Sequence, residues 1–284
     1  MTISLLIFLL FTVAIPFISF KLSAGKKDRD KSGVVVIAHR GASGHAPENT
    51  LASFSKALEM GTDMIEIDLH LSADDSVMVM HDAKVDRTTN GHGEIRNMTC
   101  EQLKQLDAGG WFGDQFKGEK IPTLSEVLRL VDGKARVLIE LKSSGAGLYQ
   151  DLVAKTMEIV DANNARDWVI LQSFDTEYFS EENRKLLGGI AYQQLIFGEA
   201  RGIPFYFDNK PRIGTFKPLP GASSVNLFYL YISPSFVSRM HLQQKTVYVF
   251  TPNDESSIGK SINLGADGVI TNYPDIALKL LGRN

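Results

Sequence analysis

Short apolar runs rich in Val and Ile alternate with helix-spaced segments from residue 34 to the end of the chain. This alternation limits the fold more than any other feature of the sequence. A continuous apolar run suits a strand buried on both faces, as in a parallel sheet flanked by helices. The run 34–38 is of this kind, and further strands are read at 64–69, where apolar and polar residues alternate, and at 137–141, 168–172, 190–196, 246–250 and 268–271. Helical spacing falls at 50–60, 123–130, 148–163, 177–187, 235–242, 256–263 and 275–281. Asn49 reads as an N-cap and Gly61 as a stop for the first helix, Thr123-Leu124-Ser125-Glu126 as a capping box, and Gly265 as a C-terminal stop. Residues 198–226, rich in Gly, Pro and aromatics, show no period.

Two segments resemble one another. Gly61-Thr62-Asp63-Met64-Ile65 and Gly265-Ala266-Asp267-Gly268-Val269 are each a helix stop, a turn and an apolar strand. About eight such units in about 250 residues is the size of an α/β chain folded as a TIM (β/α)8 barrel. An open doubly wound sheet is the alternative. The barrel is favoured because polar groups recur at strand ends: His39, Glu66 with Asp68, Glu140 with Lys142, Ser173 and Asn272. A barrel gathers those ends on one rim, whereas an open sheet spreads them along an edge. The rhythm breaks between residues 83 and 120, which read as an inserted subdomain after the second strand region. Asn90-Gly91 there is a hairpin-type turn, and Trp111-Phe112 reads as core of the insertion.

The densest chemistry lies in residues 63–82. Side chains two apart on a strand share a face, so Glu66 and Asp68 project together while Ile65 and Ile67 face an apolar layer. A second apolar run at 77–80 ends in His81-Asp82. Taken alone, an E-x-D is usually a solvated strand face and a His-Asp usually a turn. The barrel rim changes this, because Glu140 and Lys142 repeat the same two-residue spacing. Two unit charges 4 Å apart at an effective dielectric near 20 repel by roughly 4 kcal/mol. Three converging carboxylates therefore call for a cation, and all-oxygen ligation selects a hard one, Mg²⁺ or Ca²⁺. Arg40 and Lys142 suit a phosphate, and His39 and His81 form a pair titrating near neutrality. One divalent cation, two fixed positive charges and two histidines describe a phosphodiester-cleaving site.

His39-Arg40-Gly41, Pro47-Glu48-Asn49-Thr50, Glu66-Ile67-Asp68, His81-Asp82, Arg87-Thr88-Thr89, Ile121-Pro122-Thr123-Leu124, Glu140-Leu141-Lys142 and Ser173-Phe174-Asp175 together resemble the glycerophosphodiester phosphodiesterases. The resemblance runs from about residue 34 to the C-terminus and is densest before Lys142. It implies a TIM barrel with a small insertion. It also implies Glu66, Asp68 and Glu140 as metal ligands, His39 and His81 as the acid–base pair, and Arg40 and Lys142 on the phosphate. The implied substrate is a deacylated phospholipid, cleaved to glycerol 3-phosphate and an alcohol. Phe250 stands where the family often has tryptophan, and Asn272 where it often has aspartate. Both bear on the side of the rim that meets the glycerol or head group. Phe174 and Phe250 are the candidates for a substrate wall. His45 and His70 read as loop and supporting residues, and His92 and His241 have no chemical neighbours in the sequence.

Residues 1–32 stand apart from residues 33–284, the barrel. The run 3–20 is uncharged and mostly apolar, and Lys21, Lys26, Lys27, Arg29 and Lys31 crowd its far side. It reads as an export signal or an uncleaved membrane anchor, which would leave the protein exported or membrane-associated. The net charge of −3 and the lack of a later basic run argue against nucleic acid as a partner. One cysteine, Cys100, excludes an internal disulfide and a cysteine-rich zinc site. The oligomeric state is left open. Two rival functions are an intact-lipid phospholipase of the phosphatidylinositol-specific or sphingomyelinase D kind, and a non-enzymatic anchored binding domain. The first would want apolar rim loops, for which Tyr206, Phe207, Phe228 and Tyr229 are candidates. The complete set of charged and histidine groups argues against the second.

Overall fold

A computed structural model describes residues 33–144, 147–200, 203–208 and 210–283. The apolar run 3–20 lies outside the described residues. Among the described residues no helix is long and apolar enough to cross a membrane.

Eight parallel strands close on themselves: β1 (Val35–His39), β2 (Met64–Leu71), β4 (Arg136–Leu141), β5 (Val169–Ser173), β6 (Tyr192–Ile196), β10 (Ser224–Phe228), β11 (Thr246–Phe250) and β12 (Gly268–Thr271). β1 pairs in parallel with both β2 and β12, so the sheet is a barrel and the open-sheet alternative is ruled out. Helices α1 (Leu51–Glu59), α3 (Leu124–Val131), α4 (Leu152–Ala162), α5 (Glu181–Leu187), α6 (Pro234–His241), α7 (Glu255–Leu264) and α8 (Pro274–Leu280) follow the barrel strands in turn, except that no α-helix stands between β6 and β10 among the described residues. The outward residues of β2, Ile65, Ile67 and Leu69, pack with Phe54 of α1 and with Leu124, Val127 and Leu128 of α3. The helix-facing layer continues around the other side through Val225, Leu227, Val247, Val249, Phe236, Val237 and Ile258. The similarity between residues 61–65 and 265–269 has a structural counterpart. The Asp63 carboxylate accepts from Val36 N–H at 2.7 Å, and that of Asp267 from Val247 N–H at 2.8 Å. Each aspartate thereby ties the base of its own strand to a neighbouring one.

Inside the barrel an apolar layer of Ile37, Met64, Leu138, Ile170, Tyr248 and Ile270 comes first. Above it lies a layer of amides. Asn226 donates to Gln172 Oε1 at 2.8 Å and Gln193 Oε1 at 2.7 Å and accepts from Ser224 Oγ at 2.8 Å. Gln172 in turn donates to Glu66 at 3.3 Å. These polar inward positions are why β10 carries no continuous apolar run, and why residues 198–226 looked featureless as sequence. The rest of that stretch holds a three-stranded antiparallel sheet, β7 (Gly198–Glu199), β8 (Phe205–Phe207) and β9 (Pro211–Ile213).

The second apolar run becomes β3 (Val77–Val79), antiparallel to the end of β2. It returns the chain to the rim, where Met80 N–H bonds the Asp68 carbonyl at 2.9 Å. The insertion then packs Val85, Ile95, Leu103 and Ala108 on Met78, Met80 and Ile121, with α2 (Cys100–Gln105) as its one α-helix. Trp111 departs from expectation. The residue is 44% exposed, its ring edge-on to Phe112, and the insertion core is made of smaller aliphatic residues. Asn90-Gly91 leads to a single antiparallel bridge, Lys84 with Glu94, rather than a full hairpin.

Thr123 and Glu126 form the expected capping box, and Gly265 is a left-handed C-cap. For α1 the cap is Thr50, not Asn49. Asn49 takes the left-handed conformation (φ 55°) and turns its side chain to the site. Gly41 sits beside it at φ 81°, and a Cβ there would run into Ser53.

The amide layer generates a stability prediction. Asn226→Ala should leave the Gln172 and Gln193 side-chain oxygens short of a donor in a buried setting, while Ser224 keeps the Thr246 carbonyl, at a cost of about 1–3 kcal/mol for each group left unsatisfied. Chemical denaturation should read a loss of at least that size for one such group. A variant as stable as the parent would show that the amides of this layer contribute nothing to the closed barrel.

Candidate active site

The rim formed by the C-terminal ends of the strands carries the charged groups. Glu66 and Asp68 come from β2 and Glu140 from β4, paired in register so that Asp68 lies opposite Glu140. One oxygen from each of the three lies within 4.8 Å of the others, and all three residues are buried. Lys142 reaches Glu140 at 2.6 Å and Asp68 at 3.0 Å. Arg40 directs Nε to Asp68 at 3.4 Å and Nη1 to Glu48 at 2.7 Å, while its backbone N–H donates to Glu66 at 3.0 Å. Arg40 holds a left-handed backbone (φ 56°), uncommon outside glycine, which turns that N–H toward the carboxylate.

The electrostatics are uneven. Burial, then the nearby Asp68 and Glu140, push Glu66 well above the usual carboxyl range. Burial alone would raise Asp68 too, but Lys142 and Arg40 hold it well below. Burial raises Glu140 despite Lys142. The group is therefore short of positive charge. Asp68 Oδ1, fully buried, makes no hydrogen bond, though Lys142 is close. Three buried carboxylates with one oxygen each within 4.8 Å of the others fit a hard divalent cation. The formal charge of the triad with Arg40 and Lys142 is −1. A divalent cation would make it +1, which one phosphodiester anion would balance.

The two histidines line the same cavity of about 200 Å³ with Arg40, Glu66, Glu140 and Lys142. His39 ends β1, and its Nδ1 lies 2.6 Å from Asn272 Oδ1. His81 follows β3, and its Nδ1 lies 2.6 Å from Asp82 Oδ1. Both partner oxygens can only accept from a neutral ring, so Nδ1 carries the proton and Nε2 is left as the acceptor nitrogen. Burial, followed by the Arg40 charge, lowers His39 to about 3; burial also lowers His81. At neutral pH both rings rest uncharged.

The far wall is aromatic. Phe174 stacks on Phe197 at 4.9 Å between centroids and meets Phe250 edge-on at 5.9 Å. All three line the cavity, with Leu195 and Ile270. Phe197 went unnoticed in the sequence because it lies just past β6, at the start of the stretch without period.

The remaining histidines are elsewhere. His70 is buried, donates from Nε2 to the His81 carbonyl at 3.0 Å and faces Tyr149 Oη at 3.1 Å, so it supports the backbone of His81. His45 pairs with Asp275, His241 with Asp267, and His92 lies exposed beside Asp86. Other supporting residues were visible only as motif letters. Asn49 donates to Asp68 at 2.8 Å, Glu48 receives Arg40, and Asn272 receives His39. Gln172 had no signal, because a glutamine inside a strand looks like any polar alternate.

Known proteins match this chain over almost the whole barrel. A glycerophosphodiester phosphodiesterase of Caldanaerobacter subterraneus subsp. tengcongensis is 35% identical over 248 residues, 87% of this chain and 97% of that protein. One of Bacillus subtilis is 32% identical, covering 95% of this chain and 96% of its own. The structure of an Oleispira antarctica phosphodiesterase, in complex with the product sn-glycerol-3-phosphate, superposes with a TM-score of 0.77 at 32% identity, over 87% of this chain and 96% of that one. The sequence pattern of the glycerophosphoryl diester phosphodiesterase family covers residues 39–276, and with it the strand-end carboxylates, both histidines and most of the barrel. This chain belongs to that family and is a phosphoric diester hydrolase.

Proposed function

We propose that the protein hydrolyses glycerophosphodiesters to sn-glycerol 3-phosphate and an alcohol, using one divalent cation, Mg²⁺ or Ca²⁺, on Glu66, Asp68 and Glu140. What carries this reading is the meeting of three buried carboxylates, two cationic side chains and two histidines around one small cavity with an aromatic wall. The bound cation would polarise a phosphate oxygen and offset the charge that builds in the transition state. Arg40 and Lys142 stand on either side of Asp68, where each can take a phosphate oxygen. Phe174 and Phe250, with Phe197, offer the apolar face of the cavity to the glycerol carbons.

A glycerophosphodiester carries a hydroxyl on C2, the neighbour of the carbon that bears the bridging oxygen. Held beside the phosphorus, it gains up to about 7–11 kcal/mol from proximity alone. That exceeds what a loosely held water gains from one more hydrogen bond. The 2-hydroxyl is therefore the nucleophile, and it forms a cyclic phosphate that water then opens. One histidine takes the hydroxyl proton through Nε2, and the other, protonated for the step, delivers a proton to the leaving alcohol.

One observation favours the second reading, an intact-lipid phospholipase. Phe197, Ile203, Leu230 and Tyr231, on loops after β6 and β10, are exposed apolar side chains at the rim. The residues first expected there, Tyr206, Phe207, Phe228 and Tyr229, are half-buried, with Tyr206 against Phe216 and Phe228 against Phe250. The apolar run 3–20, as an export signal or anchor, would keep the enzyme outside the cytoplasm or at a membrane. Turnover of glycerophosphocholine against phosphatidylinositol and sphingomyelin separates the two readings.

Three outcomes test the leading one. Chelation should abolish turnover and Mg²⁺ or Ca²⁺ should restore it, while Glu66→Gln, Asp68→Asn and Glu140→Gln stay folded and lose activity; full turnover in excess chelator with metal removal verified would sink the cation. His39→Ala and His81→Ala should lose about 10²–10⁴-fold in rate, the usual worth of a general acid or base, with His45→Ala and His92→Ala near the parent. The reverse ordering would mean the wrong histidines are named. Finally, a 2-deoxy substrate should bind competitively yet turn over at least about 10²-fold more slowly, the scale of one lost catalytic group. Rapid hydrolysis of that compound would identify water as the nucleophile.

A further inference from the structure

Arg87 comes from the insertion, not from the barrel, and its side chain is 46% exposed. Its guanidinium nevertheless spans two carboxylates at the edge of the site. Nε donates to Asp82 Oδ2 at 2.7 Å, and Nη1 and Nη2 donate to the two oxygens of Glu48 at 2.8 Å each. The other oxygen of Asp82 holds His81 Nδ1, and Glu48 Oε1 also receives Arg40 Nη1 at 2.7 Å. One planar fork thus links the partner of a histidine to the partner of an arginine. These come from three separate places: the turn after β1, the end of β3 and the insertion.

We propose that Arg87 is a positioning residue that fixes His81 and Arg40 relative to one another, so that proton transfer and phosphate binding are set by a single side chain of the insertion. The geometry requires arginine. A lysine presents one nitrogen and cannot span both carboxylates, whereas the guanidinium offers parallel N–H bonds to Glu48 and a third to Asp82. Both carboxylates stay charged to receive it. Burial alone would raise Asp82, but the bonds from Arg87 and His81 bring it down to about 2. Asp82 in turn selects the ring tautomer that leaves His81 Nε2 facing the cavity. The insertion thereby acts as a brace on the rim, held through this fork as well as through its apolar seat on Met78 and Met80.

The inference rests on the roles given above to His81 and Arg40, and the test keeps the two apart. Steady-state rates on glycerophosphocholine and melting temperatures are measured for the full-length protein with Arg87→Ala, Arg87→Lys, Asp82→Asn and the double variant Arg87→Ala/Asp82→Asn. Arg96→Ala, which breaks the Glu94 pair elsewhere in the insertion, is the control. Arg87→Ala should lower kcat by about 10–100-fold, the usual cost of removing an outer partner of a working side chain, and should also raise KM through Arg40. Arg87→Lys should stay folded and recover little of the loss. The double variant should fall no further than the worse single one, because both act through His81. Added ethylguanidinium should restore part of the Arg87→Ala rate, which repair of a merely destabilised fold would not do. The proposal is overturned if Arg87→Lys or Arg87→Ala keeps kcat within about twofold of the parent, if the two single losses multiply, or if Arg96→Ala loses as much. Parent-like rates in His81→Ala or Arg40→Ala would instead overturn the roles on which it rests.

Discussion

Three carboxylates held in a buried barrel mouth, with oxygens within 4.8 Å, are the arrangement on which the rest of this protein depends. At an effective dielectric near 20, one such pair at 4 Å costs roughly 4 kcal/mol. The chain meets that cost locally. Lys142 and Arg40 lie against Asp68, the Arg40 N–H bonds Glu66, and Asn49 and Gln172 supply amide donors, drawn from the loop after β1, the end of β4 and β5. The left-handed backbone at Arg40 and Asn49 is part of the same solution, since it aims an N–H and an amide inward. A site compensated this closely still brings one oxygen from each carboxylate near enough to the others to share a cation. Stability and capacity for a cation thus have a common origin.

The barrel interior divides accordingly. Its lower part is an apolar plug, and its upper part an amide layer that ends on Glu66. Such a layer can be tolerated only when every member is paired, and Asn226 is the residue through which Gln172, Gln193 and Ser224 are joined. Rigid support below the carboxylates then follows from hydrogen bonding rather than from apolar packing alone.

The short antiparallel strand β3 has a different task. A plain (β/α)8 barrel would send the chain from β2 straight to a helix. Here it doubles back along β2, and this sets His81 beside Asp68 and opens room for the insertion. One histidine is thus carried by the barrel and the other by an added element. Their partners differ in kind, an amide for His39 and a carboxylate for His81.

Much of this was legible in the sequence. Seven of the eight barrel strands can be read from continuous or alternating apolar residues, because their outward side chains contact helices or loops and period and β-branching report that directly. The E-x-D and E-x-K spacings told which side chains share a face, since a strand's two-residue period is local. β10 stayed hidden because its inward Ser224 and Asn226 serve a network that exists only once the barrel closes. Trp111 misled for the opposite reason, as a large ring suggests a core that smaller residues fill. Asn49 offered a cap by residue type, yet only the fold decides whether a short amide turns to its own helix or across to Asp68. By itself, then, the sequence determined the elements, the fold class and the chemical types at the strand ends, all of which follow from local period and side-chain chemistry. Which of those groups touch, and at what distance, was decided by closure of the barrel and the return of β3, because contacts between residues more than a hundred positions apart, such as Glu66 with Gln172, have no local signature.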